Sequence, residues 1–234
     1  MSKALPARLS LPVIFGVALA TGFSGAVVPG SLLAVVVRES VRVGWQAGPL
    51  MMIGHGALEL VAVILLATGL IRFARSRRVR GLIGVVGGGV LVYLGYLTFG
   101  TSGEAGAAAL RVGVGTAAQA LGLPTILRLI SLGALMSMTN PYWWLWWATI
   151  GVAHVGWATH RGRLGGGTYF SGHVLSDVLW YCAVAAALSA GRALLSPAAL
   201  RGIYVGCAVF LLALGAIFAV AGARTLAATH TRHD

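Results

Sequence analysis

The sequence predicts an all-α integral membrane protein, with six transmembrane helices arranged as two inverted three-helix repeats and broken helices at positions one and four. Three observations carry that prediction. Hydrophobic residues make up 58% of the 234-residue chain and charged residues 9%, where soluble domains hold about 25% charged residues; mean hydropathy is +0.89. The pattern Gly54-His55-Gly56-Ala57-Leu58-Glu59 returns as Gly172-His173-Val174-Leu175-Ser176-Asp177, each inside an apolar run. A proline-containing break precedes each copy, at Val28-Pro29-Gly30 and at Thr139-Asn140-Pro141.

In chain order, Lys3 and Arg8 followed by an apolar stretch imitate a secretory signal. The stretch continues to residue 37, too long for a signal h-region and long enough to span a bilayer, so residues 11–37 form segment one. The break at Pro29-Gly30 removes a backbone donor and loosens the turn. Segment two, residues 47–71, holds His55 and Glu59 near its middle, and the densest basic cluster, Arg72 to Arg80, follows it. Segment three, residues 81–99, is glycine-rich; Gly84 and Gly88 stand at a spacing that lets helix backbones approach closely in lipid. That face offers a surface for a homodimer. Residues 100–124, with Glu104, Arg111 and Gln119, form a weakly amphipathic connection suited to an interfacial helix.

Segment four, residues 125–152, is broken at Asn140-Pro141 and continues into Trp143, Trp144, Trp146 and Trp147. These tryptophans read either as an interfacial belt or as a cation-binding face. A polar loop is expected over residues 154–167. Segment five, residues 168–190, holds His173 and Asp177, and segment six covers residues 202–223 before a polar tail with His230 and His233. The chain therefore divides into a first repeat (1–99), a connecting segment (100–124) and a second repeat with the tail (125–234). An odd number of helices per repeat makes the second copy enter the membrane from the opposite side, as in many secondary transporters.

Eleven of the seventeen basic residues fall on the face shared by the N-terminus, the loops after segments two and four, and the C-terminal tail. The positive-inside rule places that face, and both termini, in the cytoplasm. The net charge of +12 is distributed as loop anchors beside lipid and does not point to nucleic acid. Cys182 and Cys207 lie in separate apolar segments and form neither a redox pair nor a zinc motif. No H-E-x-x-H, G-x-S-x-G or P-loop pattern is present, so no enzyme and no cofactor is expected.

The Pro29-Gly30 break, the Asn140-Pro141 break opening the second half, and six short helices together resemble the LysE family of amino-acid exporters, over essentially the whole chain. Where that family often has a second proline this chain has Ser31, and where it often has a lysine after Asn-Pro this chain has Tyr142. The resemblance implies export of amino acids or similar metabolites across a bacterial or archaeal cytoplasmic membrane, driven by the membrane potential or a proton gradient.

The residues themselves point to the chemistry. Ionisable groups inside a bilayer are costly, about 2.5–3.5 kcal/mol each on the mildest scale, and mark ion or substrate pathways. Only five acidic residues exist, and Glu59 and Asp177 are two of them. His55 and Glu59 share one helix face, as do His173 and Asp177; in antiparallel copies this gives a central acidic pair flanked by one histidine on either side. Histidine titrates near neutrality, so the set suits proton coupling, and the carboxylates suit a substrate ammonium group. Broken helices at Pro29, Gly30, Thr139, Asn140 and Pro141 would offer free backbone groups, with Thr139 and Asn140 adding side-chain hydrogen bonds. The alternative is divalent-metal efflux with His55, Glu59, His173 and Asp177 as ligands; a purely structural hydrogen-bonded set is the remaining reading.

Overall fold

A computed structural model describes residues 10–28, 30–68, 76–100, 102, 121–191, 194 and 196–230. Among the described residues every regular element is helical and no strand occurs. Helix α1 (Leu11–Ala26) opens on a proline in its first turn, where the missing N–H costs nothing. It ends just before the Pro29-Gly30 break, and α2 (Ser31–Val43) leaves at 77° to it. Pro29 itself lies outside the described residues. Gly30 is extended, with φ −143°. A turn at Gly44, whose φ of 90° suits glycine, reverses the chain into α3 (Ala47–Ala67), and α4 (Arg77–Gly100) follows.

The interfacial helix expected over the connection, with Glu104, Arg111 and Gln119, falls outside the described residues. Helix α5 (Leu123–Met138) again starts with a proline in its first turn. The second break has a defined cause. Asn140 is extended and accepts a hydrogen bond from the Tyr142 N–H at 3.0 Å, capping α6 (Pro141–Trp146) whose first residue is proline. The helix then widens into a π-turn (Trp147–Gly151), resumes as α7 (Val152–Ala158), and tightens into a 3-10 turn (Thr159–Arg161). Gly162, at φ 65°, turns the chain into α8 (Gly162–Gly191), and α9 (Pro197–His230) ends the described chain.

Two boundaries differ from the sequence reading. Residues 154–167, expected as a polar loop, are helical apart from the Gly162 corner. One of their glycines serves contact: a Cβ on Gly165 would collide with the Ala158 carbonyl, so α7 folds closely back on α8. The polar tail after residue 223 continues α9 to His230.

Helix α3, helix α4, the run Tyr142–Gly191 and α9 are long and apolar enough to cross a membrane, and the bent pair α1–α2 makes a fifth candidate. Helix α5 is apolar but has only 16 residues, short of the ~20 a single straight crossing needs. The 50-residue run Tyr142–Gly191 would be about 75 Å long if straight, far beyond a ~30 Å hydrocarbon core; the corner at Gly162 divides it.

Helix pairing follows the glycines. Helices α4 and α9 pack along their length, Gly84 on Gly222, Gly88 on Gly215 and Ala219, and Gly95 on Leu212 and Ala208. The register runs backward along α9, so the two are antiparallel. The glycine face that the sequence offers to a second copy is thus filled within the chain. Elsewhere the halves exchange partners: α1 packs on α8 and α5 packs on α3. Gly172 of α8 meets the Phe15 carbonyl of α1, while Gly54 of α3 meets the Ile130 carbonyl of α5. Each of these glycines immediately precedes a histidine of the repeated pattern.

Candidate functional site: a histidine–carboxylate quartet in a central cavity

Helices α3 and α8 pack together at the centre, with Gly48 of α3 close against Tyr181, Cys182 and Ala185 of α8 and Gly56 against Val174, and this contact brings the two His/acid pairs together. His55 Nε2 lies 3.2 Å from Glu59 Oε1, and His173 Nε2 lies 3.1 Å from the same oxygen. Both ring nitrogens lie 3.8 Å from Asp177 Oδ2. The expected central acidic pair flanked by two histidines is therefore present as a four-membered ring. All four side chains are buried. Glu59 is the tightly held acid and Asp177 the loosely held one.

The two histidines are supported differently. Ser137 on α5 donates its hydroxyl hydrogen to the Gly133 carbonyl at 2.9 Å. Its oxygen therefore accepts from His55 Nδ1–H, 2.6 Å away. That fixes Nε2 toward the carboxylates. A hydrogen bond from Nε2 to Glu59 then requires a second proton on the ring or one on the acid. His173 has no such partner among the described residues: its Nδ1 is buried and unpaired against Gly22 of α1, where a Cβ would collide with Ser176 Oγ. The His173 ring is held by aromatics instead. Trp146 stacks on it at 4.6 Å between centroids, Trp147 meets it edge-on at 5.0 Å, and Tyr169 lies parallel at 6.0 Å.

A cavity of about 260 Å³ opens beside the quartet. Both breaks reach it, through Val28 and Gly30 on one side and Asn140 and Tyr142 on the other. The Asn140 amide nitrogen lies 3.5 Å from where a Cβ on Gly30 would stand, so the two breaks face each other. Drug-sized pockets start near about 300 Å³; this one suits a smaller solute. Its walls are aromatic and apolar, and among the described residues its titratable groups are the quartet and two tyrosines, with no lysine or arginine lining it. Glu59 Oε2, Asp177 Oδ2 and the indole N–H groups of Trp143, Trp146 and Trp147 are buried without hydrogen-bond partners among the described residues. These atoms are free to meet a ligand.

Of the sequence-predicted residues, His55, Glu59, His173, Asp177, Gly30 and Asn140 line the cavity. Pro141 supplies the first residue of α6. Thr139 does not fit its expected part: its hydroxyl donates to the Leu135 carbonyl within its own helix at 2.7 Å, and its own carbonyl presses against Gly87 of α4. The interfacial-belt reading of the tryptophans gives way as well, because Trp143, Trp146 and Trp147 are buried around the cavity. For the metal reading, His55, Glu59 and Asp177 each bring a ligand atom within 4.8 Å of the other two; His173 does not join that set.

Three contributors escape the sequence reading. Ser137 is one polar residue in an apolar helix, and Tyr169 precedes His173 by one turn. Glu39, fully buried, sits between Arg38 and Arg42 and reads as surface charge on sequence alone. Its third partner, Arg128, is remote in the chain.

Neither the curated proteins nor the solved structures returned a match to this chain. The profile of the LysE type translocator family matches residues 23–222, which take in both breaks, both His/acid pairs and every helix from the end of α1 into α9. This multi-pass membrane protein belongs to the LysE type translocator family.

Proposed function

We propose that the chain is a secondary active transporter that exports amino acids or similarly small amine-bearing metabolites, with the His55–Glu59–His173–Asp177 quartet coupling substrate to protons. The observation that carries this reading is the quartet's position on the wall of a small cavity that both broken helices also reach. Leaving two carboxylates buried and uncompensated is costly, several kcal/mol per ion. With no fixed cation in the cavity wall, neutrality comes from protons on the histidines or acids, or from a cationic group of the substrate. Proton and ammonium then compete for one site, which is the logic of exchange. The loosely held Asp177 and the unpartnered Glu59 Oε2 are the acceptors for that ammonium group. The N–H groups at the start of α2 are the donors for a substrate carboxylate.

The reciprocal packing of α1 on α8 and α5 on α3 supports two inverted three-helix repeats. In that arrangement α5 with α6–α7 is the fourth crossing, interrupted at Asn140-Pro141, and α8 the fifth. The arginine distribution supports cytoplasmic termini in a bacterial or archaeal inner membrane. Counterflow in proteoliposomes tests the proposal: a panel of amino acids is loaded inside and internal pH is recorded. Flux of at least one amino acid with opposing proton movement is expected, and its absence from the whole panel contradicts the reading.

The convergence of His55, Glu59 and Asp177 favours a second reading, in which a divalent cation is the exported solute. His55 has the arrangement common in metal-binding histidines, Nδ1–H bonded outward and Nε2 turned inward. A panel of zinc, nickel and cobalt ions run beside the amino acids separates the two.

A further inference from the structure

Away from the quartet, a second buried charge cluster ties together the ends of four helices. Glu39, near the end of α2, is fully buried. Arg128, in the second turn of α5, grips it with both guanidinium arms, Nη2 to Oε2 at 2.7 Å and Nη1 to Oε1 at 3.1 Å. Arg38 donates from Nε to Glu39 Oε1 at 3.0 Å and from Nη1 to Thr98 Oγ1 of α4 at 2.9 Å. Tyr204 of α9 donates its hydroxyl to the Arg38 carbonyl at 3.3 Å. Arg42, largely exposed, stands at 4.0 Å on the outer side.

Helices α2 and α5 are the half-helices on one side of the two breaks. They are joined at a second level as well, where Ser31 donates to the Met136 carbonyl at 3.2 Å beside the cavity. The hydrogen bond and the carboxylate–arginine fork together join α2 to α5 from the cavity to this end of the bundle. Helices α1 and α6, the half-helices on the other side, meet through Gly25 and the Trp146 indole. That contact sets a glycine against an indole edge, whereas the carboxylate–arginine fork joins α2 and α5 by an ion pair.

We propose that the Glu39–Arg128–Arg38 cluster is the latch of a gate, closing the cavity at the end of the bundle where α2 finishes and α5 begins. The proposal rests on the transport reading above and adds where and how the pathway is shut. Parting α2 from α5 must break the fork between Glu39 and Arg128. Removing the carboxylate leaves Arg38 and Arg128 repelling each other across the same seam, which raises the open population.

The test uses the full chain with Cys182→Ser and Cys207→Ser, and a single probe, Leu32→Cys, on the cavity wall in the first turn of α2. Oriented vesicles receive a membrane-impermeant maleimide on one face or the other, the faces being identified by an N-terminal tag. The parent should label slowly from the face opposite the N-terminus. Glu39→Gln should speed labelling from that face by about ten-fold without speeding it from the tag face. Arg128→Lys, which keeps the charge but loses the fork, should give a smaller rise from the same face and remains informative if Glu39→Gln does not fold. Equal labelling of both variants and the parent from that face, or a rise of the same size from both faces, overturns the latch. Labelling requires no transported substrate, so a failed amino-acid panel and a failed latch are separate results.

Discussion

The molecule buries acid in two places and neutralises it in two ways. Glu39 is held by arginines, which stay charged at any pH the protein meets. Glu59 and Asp177 are held by histidines, whose charge depends on a proton that can be gained or lost. Both arrangements satisfy the cost of a carboxylate out of water, but only the second changes with proton supply. On the proposed reading the difference separates two jobs: a permanent cation makes a closure, and a titratable one makes an exchangeable site.

The sharpest way to break that contrast is to make the central site permanent. His173→Arg, placing a fixed charge beside Glu59, should reduce amino-acid counterflow by about a hundred-fold, as expected for loss of a few kcal/mol of exchangeable charge interaction. Size-exclusion chromatography should show the same monodisperse peak as the parent. A variant that transports normally would mean that proton loss from His173 is not needed. A smaller effect is expected at the latch. Glu39→Gln leaves arginines facing one another, but Arg128 is 34% exposed in its side chain. The loss of stability should therefore lie below the 3–5 kcal/mol of a fully buried pair, about 2 kcal/mol, read as a fall in thermal midpoint in detergent.

Smaller still is the effect of the support around His55. Ser137→Ala removes two hydrogen bonds, one with His55 and one to the Gly133 carbonyl, each worth about 1 kcal/mol, and frees the His55 ring to adopt either tautomer. Flux should fall about five-fold, with the pH dependence broadened, when measured as counterflow across a pH series. A corresponding serine opposite His173, Gly22→Ser, meets Ser176 Oγ and the His173 ring at once. It should disrupt the α1–α8 contact and lower the yield of folded protein rather than equalise the two histidines.

Much of this arrangement is legible in the sequence because it is local. A histidine and an acid four apart in an apolar run share a face of one helix whatever surrounds it, so the two pairs and the two breaks could be read directly. Their convergence depends on α3 packing against α8 through Gly48 and Gly56, a contact that spacing within one helix does not reveal. What escaped depends on contacts across the fold. Ser137 meets His55 across 82 positions, and Arg128 meets Glu39 across 89, distances at which side-chain periodicity carries no information. The glycines of α4 were legible as a close-packing face, but their partner in α9 was not. Residues 154–167 read as a loop because the run is polar and its consecutive glycines lower helix propensity, while packing of α7 on α8 holds them helical.

The central claim is that Glu59 and Asp177 exchange protons for substrate. The most direct test is counterflow with internal pH recorded, comparing the parent with Glu59→Gln and Asp177→Asn. The account predicts amino-acid flux with opposing proton movement in the parent and neither movement in Glu59→Gln. Asp177→Asn, altering the loosely held acid, should lose substrate coupling as well. Transport by both variants at the parent rate, with the parent's proton movement, would contradict it and leave the quartet as a structural joint between α3 and α8.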